Sequence, residues 1–188
     1  MKKFKINSLI LLGLMLFSVT PSYATNLKNL AMFGLGFASG TVFHEVGHAT
    51  TIWAQGGRVK AINFQSTEFE FKNTRNLNKK LQITALTGYA AQSLASEVIL
   101  QNKNWHKNDY ALGWMTLGIF TNLSNPIRYY VFGQTDNDLG FYKNSGGNPL
   151  IPAIFMVAHA GFTLHRVFSD TDIPVYLGNN TFGFNFKF

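Results

Sequence analysis

Hydrophobic residues fall along this chain in long runs rather than short alternating blocks. Four runs stand out: Leu30–Ala54, Leu81–Leu100, Tyr110–Leu123 and Leu150–Val167. The first contains Glu45 as its one formally charged residue, and the second contains Glu97. As a helix the first run would be roughly 37 Å long, enough to cross a hydrocarbon core. It carries Gly34, Gly36, Ser39 and Gly40, small residues that let a second helix come close. The third run is interrupted by Asn122-Leu123-Ser124-Asn125-Pro126, and the fourth holds His159 and His165. Helices this rich in Gly, Ser and Thr fit a polytopic bundle of about four helices that packs on itself and hides a polar site. A compact soluble helical domain is the alternative, since mean hydropathy is only +0.04.

Two stretches follow the period of a strand instead. Val59–Phe71 alternates around Ile62, Phe64, Phe69 and Phe71, with a turn near Ser66-Thr67, and Gly56-Gly57 stops the helix before it. At the C-terminus Phe182, Phe184, Phe186 and Phe188 alternate with Gly183, Asn185 and Lys187. A transmembrane barrel would need about eight such segments, so a small sheet is expected, formed by 59–71 and the C-terminal strand. The fold class is mainly α.

The first 24 residues read as a cleaved signal peptide. Lys2, Lys3 and Lys5 form a basic start, Ser8–Val19 is apolar, and Ser22 and Ala24 offer the small residues that a signal peptidase reads. Residues 25–188 then form a single domain, exported to the membrane of a bacterial-type cell envelope. Without those three lysines the formal charge of +7 falls to +4, and no basic run is interleaved with aromatics. Nucleic acid is therefore not expected as a partner. There are no cysteines, so any metal must be held by His, Asp or Glu.

One short spacing within the first run carries chemistry. His44 and His48 stand four apart, on one face of a helix, with Glu45 between them. Two imidazoles so placed can bind one Zn²⁺, while Glu45, off their face, can serve a bound water as general base. A catalytic zinc needs a third protein ligand, and spacing leaves Asp136, Asp138, Glu97 and His159 open.

His44-Glu45-Val46-Gly47-His48-Ala49, followed by Gly56-Gly57-Arg58-Val59 and Ile62-Asn63-Phe64, resembles the site-2 protease family of intramembrane zinc metalloproteases. That family carries its third ligand, an aspartate, beyond an Asn/Pro-containing stretch on a later helix. Asn122–Pro126 followed by Asp136 and Asp138 resembles that arrangement. Asn137-Asp138-Leu139, before Gly147-Asn148-Pro149, looks most like a divergent branch with an Asp ahead of a Gly-x-Pro element. The resemblance implies Zn²⁺ held by His44, His48 and Asp138, with Asp136 second, and a protein or peptide substrate cut at or in a lipid membrane. The Asp-Gly pair typical of the main family is missing here.

Tyr89 is a candidate oxyanion stabiliser, and Asn122 and Asn125 are candidates for positioning substrate. Two rival functions remain: a non-catalytic membrane or periplasmic metal-binding or interaction protein, and a soluble exported zincin with Glu97 as third ligand.

Overall fold

The computed structural model describes residues 27–64, 66–102, 104–105, 108–170, 175–178 and 181–184, with side chains followed as far as Val167. The proposed signal segment and the last residues of the C-terminal strand lie outside this range. Five helices make up most of it: α1 (Leu27–Ala54), α2 (Leu77–Gln101), α3 (Asp109–Tyr130), α4 (Asp138–Asn144) and α5 (Leu150–Asp170). Two hairpins accompany them, β1 (Arg58–Ile62) with β2 (Thr67–Glu70), and β3 (Val175–Gly178) with β4 (Thr181–Phe184).

α1 has 28 residues, a length of about 42 Å. It stops where the glycine pair demands. Gly56 takes φ 74°, and the Gly57 N–H closes back on the Ile52 carbonyl at 2.8 Å while Gly56 bonds Trp53 at 3.0 Å. That is the left-handed cap which satisfies the last carbonyls of a helix. The hairpin follows at once. Ile62 pairs with Thr67 and Arg58 with Glu70, with a bulge between Val59 and Ala61, and Lys60 meets Glu70 at 2.7 Å.

The expected sheet needs correction. The 59–71 stretch closes on itself, and the C-terminal strand β4 pairs with β3. Local closure costs less chain entropy than bringing the end of the chain back to residue 59, so each hairpin forms from neighbours. The interrupted third run is corrected too. α3 passes through Asn122–Pro126 and ends at Tyr130, with Pro126 inside the helix. A proline there removes one helical hydrogen bond, but it lies buried against the rest of the bundle, where packing holds the helix together.

α1 and α3 approach through facing glycines. A Cβ on Gly36 would collide with the Tyr110 carbonyl, and one on Gly113 with the Phe33 carbonyl. Ser39 lies between the two helices, bonded to the Tyr110 hydroxyl at 2.7 Å and accepting from the Trp114 indole at 2.8 Å. Beyond this contact Ile99, Leu100, Ala111, Leu112, Met115 and Val167 form one core, and Tyr89, Leu139, Ala153 and Met156 form another.

The outer surface is apolar in places where a water-facing helix would be charged. Leu35, Leu94, Ile154 and Phe155 are more than half exposed. Among the described residues one helix, α5, combines the length and hydropathy of a bilayer span, over Leu150–Val167. The described fold is mainly helical with small two-stranded sheets.

Candidate metal centre

The site is built where α1, α2 and α4 meet. His44 and His48, one turn apart, both face α2, and their rings stand edge to face with centroids 4.8 Å apart. Their Nε2 atoms approach to 3.1 Å. α2 admits them because it presents Gly88 there: a Cβ at that position would lie 2.5 Å from each Nε2. Both histidines and Glu45 are buried.

The far nitrogens of both rings are held from behind. His48 Nδ1 lies 2.6 Å from the Thr84 carbonyl oxygen. A carbonyl only accepts, so Nδ1 carries the proton and the Nε2 lone pair is left pointing into the site. His44 Nδ1 lies 3.3 Å from Gln92 Oε1, which also accepts from the Thr121 hydroxyl at 2.9 Å.

Asp138 brings a carboxylate to the pair. It is the first residue of α4, whose N-cap Asn137 accepts the Gly140 N–H at 2.9 Å. The short helix is anchored at both ends. Leu139 is fully buried in the core with Tyr89 and Met156, and Gln82 on α2 donates to the Ser145 carbonyl at 2.7 Å. Asp138 Oδ2 thereby lies 3.2 Å from His44 Nε2 and 3.5 Å from His48 Nε2. Burial pushes the Asp138 carboxyl up, but the His44 and His48 rings beside it outweigh that and hold the group well below the usual carboxylate range.

These three atoms fit a zinc ion. Ligands about 2.0–2.1 Å from a tetrahedral centre are separated from one another by about 3.3 Å. The observed separations of 3.1, 3.2 and 3.5 Å match that edge. Two imidazole lone pairs and a carboxylate turned toward one point also make a donor set that calls for a cation. Glu45 stands beside them, with a carboxylate oxygen within 4.8 Å of the histidine donors. Its Oε2 accepts from the Thr67 hydroxyl of β2 at 2.8 Å.

The remaining candidates are placed elsewhere. Asp136, at the protein surface, pairs with Arg128 at 3.5 Å. Glu97 pairs with Arg166 and lies 3.5 Å from His159, away from the histidine pair. His159 in turn meets Asn122 at 3.3 Å. This is a second polar cluster, joining α2, α3 and α5. Tyr89 stacks edge-on against His44 at 4.8 Å, and its hydroxyl is buried beside Asp138. Asn125 also keeps a buried amide oxygen unbonded. Sequence reasoning missed Thr84, Gln92 and Thr67. A signal for the first two exists: Thr84, Gly88, Gln92 and Ser96 recur every four residues along an otherwise apolar helix.

A buried His-Glu-x-x-His pair completed by an acid from a later helix is the donor arrangement of the metal-dependent hydrolases. Residues 38–128 of the chain match the family model described as Peptidase M50B-like, which bears out the site-2 protease-like resemblance over that span and supports a protease. The match takes in most of α1, the first hairpin, α2 and nearly all of α3, and ends before Asp138. No curated protein and no solved structure shows a significant match to the chain.

Proposed function

We propose that this chain is a membrane-embedded, zinc-dependent endopeptidase in which His44, His48 and Asp138 hold the metal and Glu45 is the general base. The convergence of His44 Nε2, His48 Nε2 and Asp138 Oδ2 at zinc-ligand spacing carries the reading. Zinc held there supplies Lewis-acid activation of water and of the scissile carbonyl.

The protein's own groups do the rest. Glu45 takes a proton from the attacking water and returns it to the departing amine nitrogen. Thr67 holds one oxygen of that carboxylate, so its other oxygen is the one free for proton transfer. Thr67 belongs to the first hairpin, whose β-strands offer an extended substrate peptide a place to pair beside the base. Lipid is the surrounding solvent in this reading, because apolar side chains line the outer faces of α1, α2 and α5. Among the described residues α5 alone combines the length and hydropathy of a span, and the several-span arrangement rests on the length of α1, α2 and α3 and on their exposed apolar side chains.

The test compares wild type with Glu45→Gln. Both should purify with one zinc by elemental analysis. Amino-terminal proteomics of membranes from expressing cells should show new protein termini with wild type that vanish with the variant. Absence of any Glu45-dependent terminus in zinc-loaded protein would overturn the peptidase assignment and leave a non-catalytic metal protein.

A further inference from the structure

We infer that Gln92 is a positioning residue for the metal centre: its side-chain oxygen fixes the His44 ring so that Nε2 is the donor. The inference rests on the zinc reading above. His48 and His44 share one problem, since an imidazole binds metal through one nitrogen only when the proton sits on the other. For His48 the Thr84 backbone carbonyl settles it at 2.6 Å. Among the described residues His44 has no such carbonyl partner, and Gln92 Oε1 stands against its Nδ1 instead, 3.3 Å away.

Three observations favour a role for this side chain beyond packing. Gln92 is 1% exposed, on a helix where Leu or Met would fill the same space without a polar group. Its Nε2 is buried with no hydrogen-bond partner among the described residues, a cost carried by a side chain whose oxygen is turned to His44. Its oxygen is aimed from a second side by Thr121 Oγ1, which reaches it at 2.9 Å while also lying 3.0 Å from the Leu117 carbonyl. A neutral amide suits this place as well. Asp138 and Glu45 already bring two carboxylates to the buried pair, and an amide oxygen accepts the Nδ1 proton without adding a third.

The experiment uses the full chain, stripped of metal and titrated with zinc against a chromophoric chelator, for wild type, Gln92→Met, Gln92→Glu and Thr121→Val. Gln92→Met should weaken zinc binding about 10–100-fold, the usual effect of removing a ligand's hydrogen-bond partner. Gln92→Glu, which keeps the acceptor but adds the third carboxylate, should bind zinc more tightly than Gln92→Met. Nitrogen NMR of the metal-free protein should show the His44 proton fixed on Nδ1 in wild type and shared between ring nitrogens in Gln92→Met. A folded Gln92→Met protein with wild-type zinc affinity and an unchanged His44 tautomer overturns the inference. If Gln92→Met fails to fold, Thr121→Val decides: weaker zinc binding supports the role, and unchanged binding overturns it. Wild type that binds no zinc overturns the metal reading itself, which is a separate outcome.

Discussion

Gly88→Ala tests the site through its tightest packing contact. The added methyl would fall 2.5 Å from both His44 Nε2 and His48 Nε2. Ordinary contact between a carbon and such an atom is about 3.5 Å, so each ring must retreat by roughly 1 Å. Metal sites tolerate about 0.2 Å of error in a ligand distance, several-fold less than that. Neither ring can retreat freely. His48 is tied through Nδ1 to Thr84, only four residues before Gly88 on the same helix, and His44 is tied to Gln92, four residues after it. Separating α1 from α2 gives no escape either, because Gly47 already lies against Gly88, with its own added Cβ 3.2 Å from the Gly88 Cα.

Two effects should follow. Overpacking should cost the metal-free fold about 1–3 kcal/mol. Zinc affinity should fall by at least about 100-fold, a loss of about 2.8 kcal/mol in binding. Chelator competition measures the second, and thermal melting of the stripped protein measures the first. Gly34→Ala is the matched control: a Cβ there meets nothing within 4 Å, so zinc binding should not change. Full zinc affinity in Gly88→Ala would mean that the two Nε2 atoms are not where the metal sits, and the proposed ligand set would fall.

Asp138→Ala and Glu97→Ala separate the two acids considered for the third ligand. Zinc affinity should drop about 100-fold or more in the first and hold in the second, and the reverse pattern in a titration would reinstate Glu97. Glu97→Ala should instead lower the melting temperature, since it removes the carboxylate that Arg166 and His159 meet. Phe155→Lys tests the lipid contact. Phe155 is 72% exposed on α5, and a lysine in mid-membrane costs about 2.5–3.5 kcal/mol. The variant should be lost from alkali-washed membranes while wild type is retained, and equal behaviour of the two would count against a lipid-facing α5.

How much of this could be read from the sequence depends on how far apart the cooperating residues lie. His44 and His48 are legible because four residues of helix place them on one face regardless of what surrounds them. The Gly56-Gly57 stop is legible for the same reason, since a left-handed cap is a local demand. Asp138 follows His44 by 94 positions, and nothing local ties them. Their meeting depends on Leu139 finding the core beside Tyr89 and on Gln82 holding the far end of α4. Local spacing left four candidates there, and only the family resemblance ranked Asp138 first. Pro126 misled in the opposite sense. Read alone it breaks a helix, yet α3 runs through it because the surrounding bundle supplies the packing that the missing hydrogen bond does not.

Gln92 shows where the sequence held more than local rules extract. On an apolar helix a polar side chain must find a partner or carry a cost, so Thr84, Gln92 and Ser96 on one stripe with Gly88 ask what lies opposite. The histidine pair on α1 is the other half of the same question: two polar rings in an apolar run, each with a nitrogen to satisfy. Matching the stripes gives the pairing of α1 with α2 and, with it, the partners behind the two rings. It cannot give Asp138, because α4 is too short for periodicity to reveal a face. The acid supplied by the shortest helix is thus the one that local pattern leaves undetermined.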